Sequence, residues 1–369
     1  MKVGIPKEIK DQEARVGMTP AGVAQLVKYQ HSVVVELNAG IASGFSNQQY
    51  IDAGATLVSA LEAWQVDLVV KVKEPQKSEY PYLQQQIVFT FFHLAGVDKA
   101  LTEELINKGT TALAYESLED SQGRLPVLAP MSAIAGNMSV LMGAYYLAQF
   151  NQGNGMQLGT VLNKSYGKVV ILGDGVVGQH AAKVASGMGA HVFVAGINDD
   201  KWNALKQNGL ATVNFFKSNQ KNISAHIMDA DLVVGAVLSR GAKAPKIITE
   251  SMLKTMQKGS VIVDVSIDQG GCFETSKATT HSNPTYIKHG IIHYCVSNMP
   301  GAYPKASTIA LTDATIDYIL DLANNSLTSF LSDTGKMKAI NTYQGKIRSE
   351  KVAQDLDLLN DFKTLTPLP

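Results

Sequence analysis

Val169-Val170-Ile171-Leu172-Gly173-Asp174-Gly175-Val176-Val177-Gly178 is the stretch on which the reading of this 369-residue chain turns. An aliphatic run passes directly into a G-x-G-x-x-G turn. Ala181, Ala182, Val184, Ala185 and Met188 follow at helical spacing, and His191–Ala195 reads as a second strand. Strand, glycine turn, helix and strand in about thirty residues form the dinucleotide-binding fingerprint. Gly173 permits the tight turn, Gly175 lets a pyrophosphate approach the backbone, and Gly178 lets helix and strand pack closely. The helix N-terminus then offers N–H groups to the phosphates. The competing reading is a glycine-rich turn that binds nothing; the flanking strands favour the fingerprint.

One part of the pattern is missing. A carboxylate at the end of the second strand usually holds the ribose hydroxyls. Here the stretch is Val194-Ala195-Gly196-Ile197-Asn198-Asp199-Asp200, and the strand-end residue is Gly196. Asn198 and Asp199 are alternatives, though neither sits where the pattern wants a carboxylate, and Lys201 is close by. Without the carboxylate a 2′-phosphate is not repelled; without an arginine it is not strongly held.

Outward from this unit, short β-branched runs alternate with helical patterns. The sequence predicts strands at Lys2–Ile5, Ser32–Glu36, Asp67–Val72, Ile87–Phe91 and Thr110–Ala114, then at Lys168–Leu172, His191–Ala195, Asp231–Val237, Ser260–Val265 and Ile291–Val296. Thr19-Pro20 signals a helix start, and Asp98 with Gly109 brackets another helix. Alternation of this kind predicts an α/β fold with doubly wound parallel sheets. At about 150 residues per domain, the length suits two domains. Asn151–Tyr166, rich in Gly, Asn and Gln, reads as a surface loop. Met131–Phe150 reads as a buried helix, its small polar residues arguing against a membrane span. A helical pattern from Ser307 either caps the second block or returns to the first.

Lys plus Arg and Asp plus Glu are both 32, so the formal net charge is zero and a nucleic-acid partner is disfavoured. Cys272 and Cys295 are the two cysteines, too few to staple such a chain, which suits a reducing, cytoplasmic setting. No C-x-x-C or H-E-x-x-H spacing suggests a metal site. The opening M-K-V-G-I-P-K-E is too polar for a signal peptide.

The first block carries polar groups in apolar surroundings. Lys71 and Lys73 close an apolar strand, and a period of two puts both on one face. His93 follows Phe89-Thr90-Phe91-Phe92, and Asp268 follows Val263-Asp264-Val265-Ser266-Ile267. Each of these can be a solvated or structural residue, and Arg15 alone reads as a surface residue. Ligands of open α/β sheets bind beyond the carboxyl ends of the strands, where Lys73, His93 and Asp268 are expected.

Taken together, the motifs resemble the L-alanine dehydrogenase family. They are G-I-P-K-E with E-A-R-V, V-K-V-K-E-P, F-T-F-F-H-L-A, A-Y-E, L-A-P-M-S-A-I-A-G and the glycine fingerprint. G-A-V-L with G-A-K-A-P-K, D-V-S-I-D-Q-G-G-C-F-E, Y-C-V-S-N-M-P and P-K-A-S-T-I-A-L-T follow in order. The related transhydrogenase NAD-binding subunit shares the plan.

The resemblance implies two Rossmann-like domains, the first discontinuous: residues 1–129 plus 305–369 for substrate and catalysis, and 130–304 for NAD(P). It implies a homohexamer that converts L-alanine, NAD and water reversibly to pyruvate, ammonium and NADH. By motif, it implies that Arg15 and Lys73 bind substrate and that His93 and Asp268 are catalytic. Ser132, Gly173, Gly175, Val176, Val177, Gly178, Gly196, Lys201, Ser218, Val237, Leu238, Val265, Ile267, Asp268, Lys277, Val296, Ser297, Asn298 and Met299 would line the nucleotide. Lys277 stands where relatives carry arginine, and Gly196 replaces the ribose carboxylate, so NADP is expected to be tolerated beside NAD. On that view Gly196→Asp should tighten NAD and suppress NADP. The rival readings are a transhydrogenase-like NAD-binding protein without alanine turnover and a non-catalytic NAD sensor.

Overall fold

A computed structural model describes residues 1–238 and 243–367. Gly241 and Ala242 of the G-A-K-A-P-K stretch, and Leu368 and Pro369 of the first domain's expected end, lie outside the described residues. The strands are β1 Lys2–Ile5, β2 Ser32–Glu36, β3 Thr56–Val58, β4 Leu68–Lys73, β5 Ile87–Phe91 and β6 Thr111–Ala114. Next come β7 Gly159–Val161, β8 Lys164–Tyr166, β9 Lys168–Leu172, β10 His191–Gly196, β11 Asn214–Lys217 and β12 Leu232–Gly235. The last are β13 Val261–Asp264, β14 Thr285–Lys288, β15 Ile291–Tyr294, β16 Ile340–Tyr343 and β17 Lys346–Ile347. The chain divides into two compact units, one of Met1–Met131 with Tyr303–Pro369 and one of Ser132–Ala302.

The first unit is an eight-stranded sheet in the order β17-β16-β6-β5-β4-β1-β2-β3. The six strands from β1 to β6 run parallel, while β16 joins β6 antiparallel. Helix Pro20–Lys28 starts where Thr19 accepts from the Gly22 N–H and Pro20 presets the first turn. Helix Lys99–Lys108 starts at Asp98 and ends at Gly109, whose φ of 70° is cheap only without a Cβ. Helix Pro304–Asn325 belongs to this unit, which resolves the alternatives left by the sequence. Thr308 Oγ1 and Thr312 Oγ1 accept from the Val16 and Thr19 amides at 3.2 and 2.9 Å.

The second unit is a seven-stranded sheet in the order β11-β10-β9-β12-β13-β15-β14. All its pairs are parallel except β14 with β15. The strand order reverses between β9 and β12, which makes that crevice the topological switch point. Val169, Ile171, Val194 and Val234 bury one face of the sheet; Val170, Leu172, Ala195 and Val233 bury the other. Period-two alternation with apolar residues at every position is what a sheet covered on both sides requires.

Two expectations need correction. Asn151–Tyr166 is not wholly loop, because Gly159–Val161 and Lys164–Tyr166 pair as an antiparallel hairpin. Its turn residue Leu162 is 93% exposed at φ 54°. The Met131–Phe150 helix runs from Ala129 to Tyr146 and is not buried all round, since Leu141 and Tyr145 are exposed, as is Phe150 beyond it.

The second sheet also contains a fully buried histidine. His293 Nδ1 donates to the Ile291 carbonyl at 2.9 Å, which leaves Nε2 to accept from Thr275 Oγ1 at 2.8 Å. This is a neutral tautomer with both nitrogens used, and burial pushes its pKa down to about 4. The unfolded chain takes up the proton first, so stability falls as pH drops from about 6.5 to about 4 and the loss levels off below. At 1.36 kcal/mol per unit the loss is about 3 kcal/mol. Urea denaturation across this range should show the slope in the wild type and a weaker slope in His293→Gln. Equal slopes would assign the acid lability to other groups.

Candidate active site

In the first unit, β1, β4 and β5 are neighbours, and their carboxyl ends carry Arg15, Lys73 and His93. Arg15 lies in the segment between β1 and helix Pro20–Lys28. It is not a surface residue: its side chain is 2% exposed. Glu13 grips it, accepting from Nε at 2.6 Å and from Nη2 at 2.5 Å, and Nη1 points at Met131 Sδ, 3.3 Å away. Gly17 holds this segment against β4, because a Cβ there would meet the Val70 carbonyl oxygen at 2.4 Å.

Lys71 and Lys73 have different surroundings, and the expected shared face does not carry through. Between Val70 and Lys73 the pairing of β4 with β5 shifts register, so the simple alternation breaks. Lys71 is fully buried, with Nζ 2.9 Å from Glu79 and 3.2 Å from Glu8, over the Trp64 ring. Glu8 also accepts from the Val72 amide at 2.6 Å and from the Lys73 amide at 3.3 Å. This buried cluster therefore fixes the backbone that carries Lys73. The Lys73 carbonyl accepts from Thr90 Oγ1 at 3.0 Å, tying the end of β4 to β5.

His93 stands just past β5 in the left-handed region at φ 47°. Such a backbone is uncommon for a side chain this size and needs support. Glu116 supplies it: its carboxylate accepts from the His93 and Phe92 amides at 2.7 and 3.2 Å and lies 3.9 Å from His93 Nδ1. The imidazole stacks on Phe91 and remains 45% exposed. Glu8, Glu13 and Glu116 were not singled out from the sequence as site-supporting residues. The glutamates of K-E, E-A-R and A-Y-E are their only sequence signal, and single carboxylates in such settings are too common to notice.

In the second unit, the residues expected to line a nucleotide follow the carboxyl ends of the parallel strands. Gly173, Gly175, Val176, Val177 and Gly178 follow β9; Gly196 ends β10; Ser218 follows β11 and donates its N–H to the Gly196 carbonyl at 2.8 Å. Val237 and Leu238 follow β12. The Val237 amide and carbonyl both bond to the Ser266 hydroxyl. Val265, Ile267 and the exposed Asp268 lie in the turn after β13. Val296, Ser297, Asn298 and Met299 follow β15, with Asn298 left-handed at φ 60°. Lys277 is exposed, and its amide donates to Tyr286 Oη at 2.8 Å. Ser132 opens the unit, half-buried in the first turn of helix Ala129–Tyr146. Lys201 lies on helix Asp200–Gln207 and reaches back to Asp174.

The fingerprint turn fits a pyrophosphate. Gly175 N-caps helix Val176–Met188 without a side-chain hydrogen bond, and a Cβ on Gly175 would meet nothing within 4 Å. At Gly173 φ is 120°, and a Cβ on Gly178 would sit 1.9 Å from the Gly173 carbonyl oxygen. The turn thus leaves open space and helix N–H groups on its outer side.

The comparisons agree with this architecture. A family profile described as "Alanine dehydrogenase/PNT, N-terminal domain" matches residues 4–135, and its C-terminal counterpart matches residues 139–350. Alanine dehydrogenase 2 of Staphylococcus aureus strain USA300 is 47% identical over 362 residues, 97% of each chain. The protein of the same name in strain N315 is 46% identical over the same length. A solved L-alanine dehydrogenase superposes with a TM-score of 0.92 at 45% identity, covering 97% of this chain and all of that one. A transhydrogenase from Sinorhizobium meliloti shares the fold at TM-score 0.81 and 23% identity, covering 94% of this chain and all of that one. Matched in both halves by one family description, this chain belongs to the alanine dehydrogenase/PNT family.

Proposed function

We infer that this protein is an NAD-dependent amino-acid dehydrogenase, an L-alanine dehydrogenase that interconverts L-alanine with pyruvate and ammonium. The observation that carries the reading is that Arg15, Lys73 and His93 lie at or beyond the carboxyl ends of the neighbouring strands β1, β4 and β5, in a chain akin to alanine dehydrogenases along nearly its whole length. A buried arginine, a strand-end lysine and a half-exposed histidine are what a small 2-oxo acid needs. A mere dinucleotide carrier needs none of them.

Within two residues of the unit boundaries, we assign residues 1–129 plus 305–369 as the substrate domain and residues 130–304 as the nucleotide domain. Arg15 would hold the substrate carboxylate. Glu13 occupies its Nε edge, so the guanidinium is preset in orientation rather than free to turn. Lys73 would polarise the oxygen of the 2-oxo acid, its backbone fixed by Glu8 and Thr90. His93 would exchange the protons that accompany amine addition and water loss, its ring presented by the Glu116-supported turn. Asp268 would pair with the ammonium. The bound nicotinamide supplies the hydride acceptor or donor, and the residues beyond the strands of the second unit would orient it. We also propose a homohexamer, with Leu141, Tyr145 and Phe150 as apolar surface for subunit contact, and a cytoplasmic setting.

Absorbance at 340 nm tests the reading. Purified protein should oxidise NADH with pyruvate plus ammonium and reduce NAD with L-alanine. Nucleotide binding without turnover in either direction would replace it with the transhydrogenase-like reading. Preference against NADP depends on what occupies the place of the absent strand-end carboxylate.

A further inference from the structure

The space at the end of β10 is filled. A Cβ built on Gly196 would lie 2.6 Å from Asp174 Oδ2 and 2.6 Å from Trp202 Nε1. Asp174 is the residue between the first two glycines of the fingerprint, on the turn after β9, and β9 pairs directly with β10. Its carboxylate thus stands where a side chain at position 196 would begin.

The carboxylate is held there from two sides. Trp202 Nε1 donates to Oδ2 at 3.3 Å. Lys201 Nζ lies 3.4 Å from Oδ1 and donates to the Asp174 backbone carbonyl at 2.9 Å. The Asp174 side chain is 12% exposed, and the Trp202 ring that holds it is itself stacked on Phe215. Such a fixed acceptor is suited to the paired hydroxyls of a ribose, each of which can donate to a carboxylate oxygen.

We propose that Asp174 is the ribose carboxylate of this enzyme, moved from the end of β10 to the glycine turn, and that it sets the preference for NAD over NADP. The proposal rests on the NAD-dependent activity inferred above. It reverses the expectation drawn from Gly196 alone. That glycine does not open the site to a 2′-phosphate; it makes room for a carboxylate that arrives from the adjacent strand. Lys201 does not wait for a phosphate, because its ammonium is committed to Asp174. A 2′-phosphate placed here would face the Asp174 charge and would have to take Lys201 from it.

The same geometry changes the meaning of Gly196→Asp. A second carboxylate against the first would clash and repel it, so this variant should weaken NAD rather than tighten it. Only when Asp174 is removed should an aspartate at 196 be useful.

Binding without substrate tests this apart from catalysis. Wild type, Asp174→Asn, Asp174→Ala, Gly196→Asp and the double variant Asp174→Ala/Gly196→Asp are titrated with NADH, NADPH, AMP and 2′-AMP. Protein fluorescence and calorimetry give the affinities, and circular dichroism checks folding. The wild type should favour NADH over NADPH. The isosteric Asp174→Asn and the Ala variant should shrink that ratio by about tenfold or more, mostly through weaker NADH and AMP, as expected for losing a charged hydrogen-bond acceptor. The double variant should recover part of the ratio that Asp174→Ala loses. Folded Asp174→Asn and Asp174→Ala with NADH:NADPH and AMP:2′-AMP ratios within twofold of wild type would overturn the proposal. So would a wild type that favours NADPH. If the ratios respond as stated but the wild type has no alanine turnover, the enzymatic reading fails while the ribose assignment stands.

Discussion

His93→Ala lowers the turnover number by about 10²–10⁴-fold, the usual cost of deleting a positioned proton-transfer group. The fold survives the change, because the imidazole is 45% exposed and its main support comes from backbone contacts. The left-handed turn at φ 47° is held through the amides of Phe92 and His93 by Glu116, and alanine keeps both amides. A half-exposed side chain removed from such a place changes stability by about half a kcal/mol. Steady-state rates across pH 5–9, paired with thermal melts, separate the possibilities. A rate that stays near wild type with an unchanged pH profile would make this histidine a structural residue. The contrasting variant is Glu116→Ala. It should move the melting temperature as well as the rate, since it leaves two amides without their acceptor.

Glu8→Ala should be the most damaging change to stability, costing about 3–5 kcal/mol, the range for removing one partner of a buried ion pair. Lys71 is fully buried between Glu8 and Glu79, whose side chains are 1% and 5% exposed. Burial raises the pKa of Glu8, and the Lys71 charge opposes that rise. Burial alone would lower the Lys71 pKa, but the two carboxylates more than offset it and hold the amine above its ordinary value. Removing Glu8 leaves the ammonium with one partner and the Val72 amide with none from that carboxylate. Urea denaturation followed by tryptophan fluorescence in a Trp202→Phe background reports the loss, since Lys71 Nζ lies 5.5 Å from the centre of the Trp64 ring. The double variant Glu8→Ala/Lys71→Met should regain part of it. A single variant within about 1 kcal/mol of wild type would show that the cluster relaxes or hydrates instead.

What the sequence reveals follows from how local the physics is. The fingerprint is legible because most of what its glycines answer to is local: the positive φ at Gly173, the approach of Gly178 to the Gly173 carbonyl, the helix start at Gly175 without a side-chain cap. The central strands are legible because both faces are buried and most of their residues are apolar. The edges are not. β14 reads Thr-Tyr-Ile-Lys and β16 reads Ile-Asn-Thr-Tyr, half polar and four residues long, and both run antiparallel to an otherwise parallel sheet. The β7–β8 hairpin hides among Gly, Asn and Gln for the same reason.

In the candidate site, the residue types at the strand ends stand out, but their partners do not. Arg15 looks like a surface residue because the packing that buries it together with Glu13 exists only in three dimensions. Lys71 and Lys73 look equivalent because one register shift is invisible in a string of letters. Gly196 looks like a vacancy because Asp174 lies 22 positions away in the chain, and only the pairing of β9 with β10 brings the two together.

The antiparallel strand β16 sets a schedule for the making of this protein. β6 leaves the ribosome early, yet the strand that closes its edge begins at Ile340. Until then the nascent first unit presents an open row of amides and carbonyls from Thr111 to Ala114, a template for pairing with another chain. The intervening unit, contiguous in sequence, can finish first. Synthesis therefore passes through an interval in which one half is complete and the other still has an unprotected seam, and chaperone demand should be concentrated there.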